Sequence, residues 1–90
     1  MPLVKFTNAL KRFYPQLKAE QIEASTVAEI LHQLDSRYPR LSTYLVEENG
    51  ALRQHVNIFI GNQVIEDKIT LGDKVKPDDE VYIMQALSGG

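Results

Sequence analysis

Few side chains in this 90-residue chain are of a type and spacing that could carry out a reaction. His32 and His55 fall on different elements, so neither has a catalytic or metal-ligating companion in the sequence. Ser25, Ser36, Ser42 and Ser88 lack the G-x-S-x-G context of an exposed nucleophile. Glu47-Glu48 and Asp78-Asp79-Glu80 attract cations but lack the ligand spacing of a calcium loop, and read first as turn residues. No glycine-rich phosphate loop is present. There is no cysteine, which removes disulfides, thiolate metal sites, iron–sulfur clusters and a thiol nucleophile together. Self-contained catalysis is therefore not expected, nor is a bound cofactor.

What remains is Gly89-Gly90 and its α-carboxylate. Two glycines have no β-carbon to obstruct approach and extend freely, which suits a tail that threads a narrow channel in another protein. A carboxylate is a poor acyl donor, because its leaving group would be oxide. Attack on the α-phosphate of ATP converts it into an acyl-adenylate, from which a sulfur or nitrogen nucleophile displaces AMP. Chain ends also fray and often carry small residues, so the two glycines alone do not decide between a reactive tail and an inert one.

A tail of this kind needs a rigid root. Val81-Tyr82-Ile83-Met84-Gln85 reads as an apolar strand, of the sort found at the centre of a sheet. Leu3–Thr7 predicts a first strand, with Val4 and Phe6 on one face. Asn8–Pro15 reads as a turn region, and Leu17–Ile22 as an edge strand protected by Lys18 and Glu20. Thr26 and Glu29 fit a capping box. Val27, Ile30, Leu31, Leu34 and Tyr38 then form one helical stripe, halted by Pro39. Leu41, Tyr44 and Leu45 suggest a further helical turn. Arg53–Ile60 predicts a strand that turns at Gly61-Asn62 into Gln63-Val64-Ile65. Ile69 and Leu71 read as apolar anchors in a loop, and Lys76–Asp79 as a turn before the last strand, which begins at Glu80 or Val81. The expectation is an α+β domain: a mixed sheet of four or five strands, one main helix on one face, and the last strand central beside the first.

Length and charge bound the class. Ninety residues make one domain with one small core, since such a chain buries only about 60–65% of its unfolded surface. Residues 1–90 are read as that single domain, with 87–90 as its flexible tail. No leader-like apolar run opens the chain and no segment approaches a membrane span, so a cytoplasmic protein is expected. Residues 1–45 carry six Lys/Arg against four Asp/Glu, and residues 46–90 four against eight. The half that holds the tail is acidic, which argues against a nucleic-acid surface and is compatible with docking onto a basic partner.

The order of these motifs resembles the ubiquitin-like β-grasp sulfur carriers, the family of the molybdopterin-synthase small subunit and the thiamine-pathway carrier. The resemblance rests on the first strand, the T-V-A-E-I-L-H-Q-L helix start at Thr26, the Tyr38-Pro39 helix end, L-G-D-K-V-K-P-D-D-E-V from Leu71 to Val81, and terminal Gly89-Gly90. L-R-Q-H-V-N-I-F-I (Leu52–Ile60), with the long connection before it, is similar to carriers that supply sulfide for cysteine synthesis. The resemblance implies a carrier that is not itself an enzyme. Gly90 would be adenylated by a ubiquitin-activating-type enzyme that consumes ATP, and would then hold sulfur as a thiocarboxylate for a cysteine synthase-like acceptor. Gly89 would be its slim neighbour, and Ser88 and Leu87 the rest of the tail. With no thiol in the chain, the terminal carbonyl is the place left for the sulfur.

Strand alternation turns Val81, Ile83 and Leu87 toward the helix and Tyr82, Met84 and Ala86 outward, with Phe59 on that same outer face. The outer group is a candidate docking patch for partners. The opposite register, with these residues in the core, stands as the alternative. Molybdopterin or thiamine pathways, isopeptide transfer from Gly90 to lysines, and a plain interaction domain with an inert tail are the competing functions.

Overall fold

The computed structural model describes residues 1–12 and 14–85; the expectations for Ala86, Leu87, Ser88, Gly89 and Gly90 lie outside the described residues. Strand β1 (Leu3–Phe6) alternates as its sequence demands, with Val4 and Phe6 buried. The chain then departs from the expected turn. Asn8–Lys11 forms a one-turn helix, α1, because extended Thr7 redirects the backbone and Leu10 drops fully into the core.

Strand β2 is only Glu20–Gln21, shorter than the expected Leu17–Ile22, although Leu17 and Ile22 are both buried. Helix α2 (Val27–Arg37) buries Val27, Ile30, Leu31 and Leu34, and Tyr38 is its C-cap. Burying such side chains stabilises the fold by roughly 1.5–3 kcal/mol each. At its start Thr26 Oγ1 accepts a hydrogen bond from the Glu29 amide at 3.2 Å. The reciprocal half of the box is displaced by one residue: Glu29 Oε1 accepts from the Ser25 amide at 2.9 Å. Two further amides of the first turn, on Val27 and Ala28, donate to the carbonyls of Asp73 and Leu71 at 3.1 and 2.9 Å. The helix end is thus satisfied by a loop far along the chain.

That loop corrects one expectation. Leu71 is buried, but Ile69 is 70% exposed and anchors nothing. The chain wraps around the Asp67 carboxylate, which accepts from the amides of Ile69, Thr70 and Gly72 at 3.0, 2.9 and 3.1 Å and from the Thr70 hydroxyl. This turn directs Ile69 outward, and Leu71 reaches the core at φ 58°. Asp67 is held well below the usual carboxylate range, first by the Thr70 hydroxyl and then by these amides.

Helix α3 (Ser42–Leu45) supplies the expected turn after Pro39. Strand β3 (Val56–Ile60) starts three residues later than its sequence suggests, because the Val56 amide bonds back to the Arg53 carbonyl and makes that stretch a turn. Gly61, at φ 64°, and Asn62 join β3 to β4 (Gln63–Val64). Strand β5 (Glu80–Gln85) completes a five-stranded sheet in the order β2-β1-β5-β3-β4. β5 runs parallel to β1 and antiparallel to β3, so it is central beside the first strand as expected. Val4, Phe6, Val56, Ile58, Val81 and Ile83 from the sheet share one core cluster with the apolar stripe of α2. Among the described residues no helix is long and apolar enough to cross a membrane.

Candidate functional site: the root and outer face of the last strand

β5 is fixed along both edges. Glu80 to Ile83 stand opposite Leu3 to Phe6, and Val81 to Gln85 stand opposite Ile60 to Val56. Past the end of β1, the Thr7 amide donates to the Ile83 carbonyl at 3.2 Å, and Thr7 Oγ1 accepts from the Gln85 amide at 3.3 Å. The backbone leading into the terminal segment is therefore held up to its last described residue. Thr7 was not singled out from sequence; the signal was only its place at the polar end of an alternating strand.

Alternation along β5 resolves the two registers. Val81 and Ile83 are fully buried, whereas Tyr82 is 37% and Met84 38% exposed. Phe59 stands directly opposite Tyr82 and is half-buried, and Asn57 stands opposite Met84. Phe59, Tyr82 and Met84 thus share the face away from α2, and the alternative that placed them in the core is removed. Together with Lys5, Gly61, Glu80 and Val81 they line a shallow depression of ≈ 260 Å³. Lys5 Nζ lies 3.0 Å from Glu80 Oε1 at its margin, both side chains well exposed. Ala86 and Leu87–Gly90, the remaining candidates, lie outside the described residues.

A second cluster sits where α2 ends. Glu20 accepts a hydrogen bond from the Tyr38 hydroxyl and pairs with Arg37 Nη1 at 2.5 Å. Burial pushes the Glu20 carboxyl up, but the bonds from Tyr38 and Arg37 outweigh it and the net shift is downward. Burial and then the Glu20 bond push Tyr38 up to about 12. Tyr14 packs edge-on against Tyr38 and Tyr44, with ring centroids at 6.3 and 5.8 Å, and donates from its hydroxyl to the Pro39 carbonyl at 2.9 Å. These contacts tie the edge strand, α1 and the end of α2 together; none presents a nucleophile. His32 and His55 are exposed on separate elements, and among the described residues no three His, Asp or Glu side chains gather closely enough to hold a metal ion.

Comparison with known proteins follows the same lines. Residues 4–90 match the model of the ThiS family. No curated protein matches. Among solved structures, a chain of the BexX/CysO complex of Amycolatopsis orientalis superposes with a TM-score of 0.84 at 24% identity, covering 100% of both chains. CysO of Mycobacterium tuberculosis superposes at 0.82 and 20% identity, over 97% of this chain and 100% of that one. The small archaeal modifier protein SAMP1 of Methanosarcina acetivorans does so at 0.75 and 25%, over 98% and 94%. The sheet order, the single long helix and these superpositions together establish the ubiquitin-like β-grasp fold.

Proposed function

The chain belongs to the ThiS family, and from that premise we propose that it is a sulfur-carrier protein whose reactive group is the carboxylate of Gly90. A carboxylate oxygen attacks the α-phosphate of ATP in the site of a ubiquitin-activating-type enzyme, and pyrophosphate leaves. Sulfide then attacks the acyl-adenylate carbonyl and AMP leaves, giving a thiocarboxylate. The thiocarboxylate sulfur attacks an electrophilic carbon of the acceptor in a biosynthetic enzyme, and water then cleaves the acyl carbon–sulfur bond, leaving the sulfur on the acceptor and returning the carboxylate. In this scheme the chain acts as a co-substrate rather than an enzyme, and it binds no cofactor of its own; ATP is consumed by the partner.

The observation that carries the reading is a family match extending through Gly90, combined with a central strand bonded on both edges as far as Gln85. A rooted strand fixes the point at which the chain leaves the sheet after Gln85, which lowers the ordering cost of docking onto a partner. The exposed Phe59–Tyr82–Met84 face next to that strand is the surface we assign to partner docking. Cysteine synthesis is the pathway we favour for the sulfide, on the likeness of Leu52–Ile60 to that branch of carriers; molybdopterin and thiamine pathways are the alternatives.

A second reading is favoured by the superposition on SAMP1, which is named a modifier protein. There, the same activated Gly90 would pass to a lysine amine. Intact-mass analysis of the protein from its native host separates the readings. An oxygen-to-sulfur increment confined to Gly90 is expected for the carrier. Gly90–lysine adducts on other proteins would favour the modifier. Absence of both, with no phenotype on deletion of Gly89-Gly90, would leave an interaction domain with an inert tail.

A further inference from the structure

The split of charge along the sequence and the split of charge in space are opposite. By sequence the half that carries the tail is acidic, yet the topology sends Asp73, Asp78, Asp79 and Glu80 to the far end of the molecule. Asp78, Asp79 and Glu80 precede β5 and sit at its start, beside Leu3, whose amide bonds to the Asp79 carbonyl. Asp73 and Glu29 lie at the start of α2 at that same end, where Thr26 bridges Lys74.

The end from which β5 leaves the sheet is built from other segments. β1 runs parallel to β5, so the chain after Phe6 arrives there, and α1 packs against β5. α1 closes on Lys11 and Arg12, both exposed and without an ion pair among the described residues. β2 runs antiparallel to β1, which places exposed Lys18, two residues before Glu20, toward the same end. Arg40 follows Pro39, whose carbonyl is bonded by Tyr14 just beyond α1. Of the acids nearby, Glu20 pairs with Arg37 and Glu47 with Arg53, and Asp35 accepts from the Ser42 hydroxyl. Among the described residues Lys11, Arg12, Lys18 and Arg40 form no salt bridge, although the charge of Lys18 reaches Glu20 and that of Arg40 reaches Tyr14.

Arg40 carries an independent mark. It is exposed and sits at φ 72°, a backbone conformation in which glycine is the ordinary choice after a helix. Its backbone carbonyl serves Thr43, a task glycine would perform equally. The Arg40 charge reaches the Tyr14 hydroxyl but forms no salt bridge among the described residues, so a strained arginine there points to a further use for its charge.

We propose that Lys11, Arg12, Lys18 and Arg40 form a cationic collar around the tail root, and that it fits an acidic rim on the partner protein at the mouth of the channel that receives the tail. This reverses the basic partner suggested by the linear charge split. It rests on the reading that the tail enters a partner's site. With a cationic end at the tail and an anionic end opposite, the molecule is a dipole that approaches such a rim tail first, and the gain is in encounter rate and orientation.

The test uses the full chain with the purified ubiquitin-activating-type enzyme of the same host, followed by ATP–pyrophosphate exchange. Lys11→Glu/Arg12→Glu is expected to raise the apparent KM for the chain about tenfold at low salt, with kcat unchanged. The difference should close as NaCl rises from about 50 to about 300 mM. Lys74→Glu/Lys76→Glu, an equal change of charge on exposed side chains at the far end, should not raise KM. Circular dichroism and melting of each variant should match the wild type, since these side chains are exposed. Equal KM values and equal salt dependence for wild type and double variant would overturn the collar alone. A rise in the KM for ATP instead would overturn it too, because the cations would then be meeting nucleotide phosphate. Absence of exchange with the wild-type chain would overturn the carrier reading together with the collar.

Discussion

Phe59 and Tyr82 stand opposite each other on β3 and β5, on the sheet face that α2 leaves uncovered. Their neighbours in sequence, Ile58 and Ile83, are likewise opposite each other and fully buried on the other face. One pair of adjacent strands therefore holds the core and presents the proposed docking surface at once. A substitution on the outer face should act on binding alone. Phe59→Asp is expected to raise the KM for the activating enzyme on the order of 10- to 100-fold, as loss of a central aromatic does. Its unfolding free energy should stay within about 1 kcal/mol of wild type. Global unfolding of the variant would show that Phe59 serves the core after all.

The inner face predicts the converse. Ile83→Ala removes a fully buried side chain from the central strand and should cost about 2–5 kcal/mol in denaturant unfolding. The loss of function should follow the fraction unfolded: under conditions where the variant is still folded, its KM should approach that of the wild type. A KM defect in fully folded protein would mean that Ile83 has a direct part in recognition.

Much of this division was legible in the sequence because a strand has a period of two. Val81, Ile83, Tyr82, Met84 and Phe59 could be sorted into faces by counting, and the apolar content of β5 marked it as central. Thr26 and Glu29 announced the start of α2. What escaped depended on contacts between distant segments. α1 is one turn long, too short to show a helical period, and is set by the burial of Leu10. Ile69 and Leu71 look alike in sequence, and only the turn around the Asp67 carboxylate separates an exposed side chain from a buried one. Charge needed the topology too: Asp78–Glu80 are close to Gln85 along the chain yet stand at the opposite end of β5.

The Asp67 turn should make stability depend on acid. Its carboxyl is lowered in the folded protein relative to its ordinary value of 3.8, as the Glu20 carboxyl is relative to 4.5. The unfolded chain therefore binds protons first as pH falls, so this stabilisation is complete above about pH 5 and is lost progressively below it. Thermal melts should show Tm falling between about pH 5 and pH 2. Asp67→Asn should lower Tm at neutral pH and flatten that decline. An unchanged decline would assign it to other carboxylates.

At the alkaline end the sign is reversed. Tyr38 is raised to about 12 from 10.0, so its neutral form is favoured by folding. Its contribution is fully present below pH 10 and fades as pH rises toward 12. Tyr38→Phe should melt lower at pH 7, having left Glu20 without that donor, yet lose less stability than wild type between pH 10 and 12. If both proteins decline in parallel there, Tyr38 is not the group that titrates.

Arg40 allows stability and recognition to be moved in opposite directions. Its φ of 72° costs a residue with a β-carbon on the order of 1 kcal/mol, which glycine avoids. Glycine adds freedom to the unfolded chain, which returns part of that gain. Arg40→Gly is therefore expected to leave stability equal or raised by up to about 1 kcal/mol, while the apparent KM for the activating enzyme increases at low salt. Arg40→Lys should hold KM near the wild-type value, because it preserves the charge and the backbone requirement alike. A glycine variant that is destabilised would show that the arginine side chain supports the fold. A glycine variant with unchanged KM at every salt concentration would remove Arg40 from the collar and leave its conformation without a role in docking.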